Sequence, residues 1–114
     1  MSQSNRRSVC PIACTLDLIG DRWTLIVIRD LFAGKSHFKE FAGSPEGIAT
    51  NILTSRLNRL VESDLVERRL DATKASHPEY RLTRKGRSLK PVLSCIADWG
   101  MKNIQGTAMK IRVD

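Results

Sequence analysis

Aromatic residues make up only 5% of this 114-residue chain: two Trp, one Tyr and three Phe. A single-stranded RNA platform needs exposed rings on which bases stack, and these few rings mostly fall in apolar patterns that suit a core. No apolar run approaches the ~20 residues that spanning a bilayer requires. The polar start Met1-Ser2-Gln3-Ser4-Asn5-Arg6-Arg7 lacks the apolar region of a secretory signal, so a cytoplasmic protein without a membrane partner is expected. Cysteine occurs three times, at Cys10, Cys14 and Cys95, an odd number that gives no paired disulfide framework and suits a reducing compartment. Cys10 and Cys14 have no second pair of ligands nearby, since the two histidines, His37 and His77, lie elsewhere; no metal site is expected. A Gly-rich phosphate loop, paired acids at a catalytic spacing and a Cys-His dyad are also missing, so neither catalytic residues nor a cofactor are expected.

Acids are outnumbered too. Nineteen Lys and Arg stand against twelve Asp and Glu, a formal charge of +7, which favours a polyanionic partner over an acidic-surface protein. Between Arg56 and Lys90 the bases outnumber the acids ten to five, so much of the excess lies in one segment. A basic surface also serves plain solubility, so charge alone decides little. The length fits one domain, residues 1–114, with no internal repeat and no linker that would separate a second.

Residues 1–9 are polar and read as a loose arm. Cys10-Pro11 opens a helix with apolar positions at Ile12, Leu16 and Ile19, and Gly20 is expected to end it in the left-handed conformation. Asp21 suits the N-cap of a second helix from Arg22 to about Phe32, so apolar that it must be central to the core. Ser36 is expected to cap a short helix, about His37 to Ala42, that packs through Phe38 and Phe41. Gly43-Ser44-Pro45-Glu46-Gly47 is a turn. In the stretch Gly47 to Leu60 that follows, Leu53, Leu57, Leu60 and Val61 recur at helical spacing, while Asn51, Ser55, Asn58 and Arg59 share the opposite face. Short hydrogen-bonding side chains with few acids suit base edges and phosphates. A merely solvated amphipathic helix fits the same stretch taken alone. Two helices joined by a tight turn over residues 37–63 are, together, the helix-turn-helix arrangement.

After Asp64 the period alternates. Leu65 to Leu70 and Glu79 to Thr83 read as two short strands joined by a long loop from Asp71 to Pro78, so residues 65–83 form a wing. Thr83 then caps a last helix over 84–104 with an apolar face of Leu89, Val92, Leu93, Ile96, Ala97 and Trp99, kinked or restarted at Pro91. The expected fold is α+β and mostly helical: a winged helix-turn-helix with a two-stranded hairpin.

The ordered set Cys10-Pro11, Ile19-Gly20 with Trp23, Phe38 before Phe41, Gly47-Ile48, Leu53 with Arg56-Leu57, Leu65-Val66 with Arg68, Tyr80 with Leu82-Thr83, Gly86 and Trp99-Gly100 resembles the HxlR family of bacterial winged helix-turn-helix transcription regulators. The resemblance covers about residues 8 to 102. It implies a homodimer, paired through the N- and C-terminal helices, that binds double-stranded DNA at an inverted-repeat operator. It also implies that some members sense oxidants or electrophiles, in several cases through a cysteine that Cys10 matches. At Ala49 the family more often carries Ser or Thr, which can cap the recognition helix.

The candidate site residues follow. Thr50, Asn51, Thr54, Ser55 and Arg59 are candidates on the recognition helix, Asn51 being suited to adenine and Arg56 reading as structural, paired with an acid. Lys74 and His77 on the wing, with Arg81, Arg84 and Lys85 beyond it, are candidates for phosphate or minor-groove contact, the alternative being a solvated charge run. Cys10, at a helix N-terminus, is the candidate sensor thiol for a small electrophile or oxidant effector. Cys95 and Cys14 read as buried filler. Leu16, Leu93, Ile96 and Trp99 are candidates for the dimer interface. Two other classes fit less well: a small thiol-based redox enzyme, which would want Cys-x-x-Cys, and a winged helix used for protein contacts only.

Overall fold

The computed structural model describes residues 6–71, 74–111 and 113. Among them, helices α1 (Pro11–Ile19), α2 (Thr24–Phe32), α3 (Phe38–Ala42) and α4 (Thr50–Glu62) precede strands β1 (Val66–Asp71) and β2 (Lys74–Leu82), and helices α5 (Arg84–Arg87) and α6 (Lys90–Asn103) follow. The fold is a winged helix-turn-helix, mostly helical with one antiparallel hairpin.

The core forms where α2, the most apolar helix, meets the apolar stripe of α4 and the base of the hairpin. Val27 and Ile28 pack with Leu53, Leu57, Val66 and Tyr80 in one buried cluster, each nearly sealed from solvent. Burying such a side chain contributes about 1.5–3 kcal/mol, so these few residues dominate the folding energetics. Phe41 of α3 meets Tyr80 of β2 edge to face, with ring centroids 6.2 Å apart. The Tyr80 N–H also donates to the Ser36 carbonyl at 2.8 Å, so the α2–α3 connection lies along the outer edge of the wing's base.

Several local expectations are corrected. Gly20 has φ −84, not a left-handed conformation. Space explains the glycine, since a Cβ there would lie 2.3 Å from the Leu16 carbonyl oxygen. The second helix begins at Thr24, not Arg22, because Asp21 caps across a turn, accepting from the Trp23 N–H at 2.9 Å and the Thr24 N–H at 3.0 Å. Ser36 does not cap α3; His37 occupies the N-cap position, and the Glu40 carboxylate reaches back to the N–H groups of Ser36 and His37, both at 3.1 Å. The helix expected in the stretch Gly47 to Leu60 starts at Thr50, because Gly47 at φ +69 turns the chain and Ile48 and Ala49 lead in. Ile48 is buried in the same core as Leu53, the pairing of a hydrophobic staple. Asp64, at φ +61, ends α4, and Leu65 N–H closes back on the Leu60 carbonyl at 3.0 Å.

The largest correction is in the wing. Residues expected as a loop from Asp71 to Pro78 are mostly strand: Asp71 pairs with Lys74, and a register shift falls between Arg69 and Asp71. The pairs on either side, Arg69 with Glu79 and Asp71 with Lys74, hold this stretch in the hairpin, whereas its sequence shows no apolar alternation. The last helix is two helices. Thr83 Oγ1 accepts from the Gly86 N–H at 3.0 Å to cap α5, and α6 restarts with Pro91 in its first turn.

Candidate nucleic-acid interface

Helix α4 is seated by its Leu53, Leu57 and Leu60 stripe, and this leaves Thr50, Asn51, Thr54, Ser55, Asn58 and Arg59 exposed on the other side. Its N-cap residue, Ala49, makes no side-chain cap hydrogen bond. The first N–H groups of α4 are therefore available to an outside acceptor, and the helix dipole adds partial positive charge there.

Two polar anchors hold α4 at the required angle. One is beneath the turn. Asp30, 1% exposed, receives Arg29 at 2.9 Å and the hydroxyl of Ser44, while Lys35 Nζ lies 3.7 Å away and donates to Ser44 Oγ at 2.8 Å. Arg29 also grips Glu46 at 2.6 and 2.8 Å, a bidentate pair that holds the Glu46 carboxyl below its ordinary range and raises the Arg29 value in turn. The sequence reading missed this anchor. An acid inside the almost continuously apolar α2 was the available signal, since a buried carboxylate requires partners.

The second anchor is Asp21, beside α4. It receives Arg56 Nε at 3.0 Å, and Arg59 Nη1 lies 3.8 Å from its other oxygen. Burial raises the Asp21 pKa, but hydrogen bonds from Thr24, Trp23 and Arg56 outweigh it and hold the carboxyl well below the usual range. Arg56 is thus the structural, acid-paired residue expected from its place on the helical wheel.

The other basic candidates divide by what they touch. Arg84 and His77 are exposed, whereas Arg81 pairs with Glu79 at 2.6 Å and Lys85 donates to the Ser63 carbonyl, at the C-terminal end of α4, at 3.1 Å. The backbone of Lys74 pairs in the hairpin, but its side chain lies outside the described residues, as do residues 1–5 of the arm. The rest of the arm is tethered to α1, with Arg7 donating to Asp17 at 2.7 Å and to the Ala13 carbonyl at 3.3 Å.

Cys10 is exposed at the N-cap of α1, and its N–H donates to Ser8 Oγ at 3.1 Å. Cys14 is half-buried and donates to the Ser8 carbonyl at 3.3 Å. Cys95 is exposed, which corrects its reading as buried filler: α6 turns that position away from its own core. Helix α6 buries no residue fully, and Trp99 and Ile96 are 63% and 52% exposed, while Leu93 is half-buried. Leu16 on α1 is 53% exposed. No helix of the described residues is long and apolar enough to cross a membrane.

Comparison with known proteins converges on one group. The chain is 37% identical over 93 residues to the uncharacterized HTH-type transcriptional regulator YdeP of Bacillus subtilis, covering 82% of this chain and 73% of that protein. Its fold is similar to PA1607, a candidate transcription factor, with a TM-score of 0.79 and 41% identity over 97% of this chain and 75% of that one. It is also similar to the redox regulator HypR in its reduced form, with a TM-score of 0.75 and 33% identity over 82% of this chain and 93% of that one. The family model for HxlR-like helix-turn-helix proteins matches residues 18–108, and the chain belongs to that family of transcription regulators.

Proposed function

We propose that the protein is a homodimeric, sequence-specific regulator that binds double-stranded DNA at an inverted repeat. The observation that carries this reading is the outer face of α4, a row of exposed, uncharged hydrogen-bonding side chains on a helix fixed from beneath. Thr50, Asn51, Thr54 and Ser55 lie towards its N-terminal end, the part that enters the major groove in helix-turn-helix proteins. Arg59, Lys74, His77 and Arg84 would add phosphate or minor-groove contacts around it. Arg81 and Lys85 would do so only by exchanging the internal partners described above. Helices α1 and α6, through Leu16, Leu93, Ile96 and Trp99, would pair two copies.

The test is selection of bound duplexes from a random pool. An inverted repeat with half-sites ~34 Å apart is expected, and Asn51→Ala should relax preference at one base pair by about 1–3 kcal/mol. Recovery of no preferred sequence would overturn the reading.

Cys10 would couple an oxidant or electrophile to DNA binding. Its exposure at the start of α1 supports this, as does the likeness to HypR, itself named a redox regulator. An adduct there would shift α1 and with it the relative placement of the two recognition helices. An effector acts only through its differential affinity for the competent geometry. In gel shifts with diamide, wild type should lose or gain DNA and recover with dithiothreitol, while Cys10→Ser should not respond. Equal responses would leave Cys10 a structural residue.

A further inference from the structure

We propose that Ser55 reads a base acceptor as a hydrogen-bond donor, and that Asp21, acting through Arg56, is the positioning residue that fixes it in that role. The proposal rests on the DNA-binding reading above. Arg56 Nε donates to Asp21 Oδ1 at 3.0 Å, and Nη1 of the same flat guanidinium donates to Ser55 Oγ at 3.2 Å. Asp21 is immobilised in turn by the N–H groups of Trp23 and Thr24 and by the Thr24 hydroxyl. A chain of hydrogen bonds therefore runs from the α1–α2 corner to the exposed face of α4.

The chemistry of the serine hydroxyl supplies the rest. It has one hydrogen and two lone pairs. A hydroxyl on a helix commonly turns its hydrogen back onto the carbonyl four residues earlier, as Thr54 does here onto Thr50 at 3.0 Å. Ser55 makes no such bond among the described residues; its recorded partner is a cation that can only donate. With one lone pair taken by a cationic N–H, the Ser55 hydrogen points away from Arg56, and the remaining lone pair, beside a positive charge, is the weaker of the two groups left for an outside partner. A donor polarised in this way suits guanine N7 and O6, adenine N7 or thymine O4 better than the amino group of cytosine, whose N–H would have to approach beside the guanidinium. A serine without that cation would serve either kind of partner, so the relay biases an indifferent hydroxyl towards donation. Arg56 has only 18% of its side chain exposed, which keeps the guanidinium in one orientation.

The test uses the operator selected by the wild-type protein and a panel in which each base pair of a half-site is replaced in turn. Ser55→Ala should reduce discrimination at one base pair by about three- to tenfold, the span of a single hydrogen bond. Asp21→Asn and Arg56→Lys should flatten the same position, and Asp21→Asn combined with Ser55→Ala should be no flatter than Ser55→Ala alone. Asp21→Asn keeps one oxygen for the Trp23 and Thr24 N–H groups while removing the charge that pins the Arg56 guanidinium to that same oxygen, and Arg56→Lys keeps the ion pair while losing the fork. Thermal melts of both variants identify any that fails to fold, and the other then carries the test. Additive effects, an unchanged panel for Ser55→Ala, or an Asp21→Asn panel that is uniformly weaker but unchanged in pattern would each overturn the proposal. Failure of the wild type to prefer any duplex would instead overturn the DNA-binding reading.

Discussion

Asp30 and Asp21 are two carboxylates that a surface-minded reading would leave in water, yet each holds several elements together. Asp30 is sealed beneath the α3–α4 turn with Arg29, Lys35 and Ser44 around it. Removing one partner of a buried ion pair leaves the others uncompensated, which costs about 3–5 kcal/mol. Asp30→Ala should lower the unfolding free energy measured by urea titration by that amount, against less than about 0.5 kcal/mol for Arg84→Ala on the surface. Asp21 gives a pH signature. Its folded pKa lies below the unfolded value, so its contribution is fully present at neutral pH, above the unfolded carboxylate range, and is lost as pH falls through the folded value. Urea midpoints measured between about pH 5 and pH 2 should fall less steeply for Asp21→Asn than for wild type. Parallel limbs would mean that Asp21 keeps its pKa on unfolding.

At the scale of elements, α4 combines a well-seated body with an open start. Ala49 has the extended backbone of an N-cap residue, φ −65 and ψ 142, but no side-chain oxygen to accept from the helix. Ala49→Ser should stabilise the fold by ~1 kcal/mol, and Ala49→Asp by a similar amount. The two should part on DNA, because on the DNA-binding reading the uncapped N–H groups would face a backbone phosphate and the aspartate would set a negative charge there, so it should bind more weakly than the serine variant. Equal DNA affinities would move the phosphate away from that terminus. The elements also differ in how plainly the sequence encodes them. Helices α2 and α4 are legible because Ile28, Leu31, Leu53 and Leu57 repeat at helical spacing against a real core. The start of β2 is not legible, since Lys74-Ala75-Ser76-His77-Pro78 carries no apolar alternation to announce a strand. Among the site residues, Thr50, Asn51 and Ser55 follow from the helical wheel, as does the structural place of Arg56. The identity of its partner does not, because Asp21 and Arg56 lie thirty-five positions apart and only the fold brings them together.

For the molecule as a whole, the apolar surface left on α6 argues for a second copy. Val92, Ile96 and Trp99 recur at i, i+4 and i+7 on α6 and are exposed, as are Ile12 and Leu16 at i and i+4 on α1. An exposed apolar stripe of this kind mostly marks an interaction site. Trp99→Asp should therefore convert a dimer to a monomer in sedimentation and weaken operator binding, because a lone protomer engages one half-site. A Trp99→Asp chain that sediments as a dimer would place the interface elsewhere. Scale enters once more through the hairpin. Its shorter strand, β1, runs six residues, about 20 Å at ~3.3 Å each. One turn of the duplex is ~34 Å. The strand is thus a little over half a turn long, about the offset between a major groove and the minor groove beside it, so on the DNA-binding reading the hairpin would act as a ruler whose length in rungs, beside its side-chain chemistry, sets which groove it reaches.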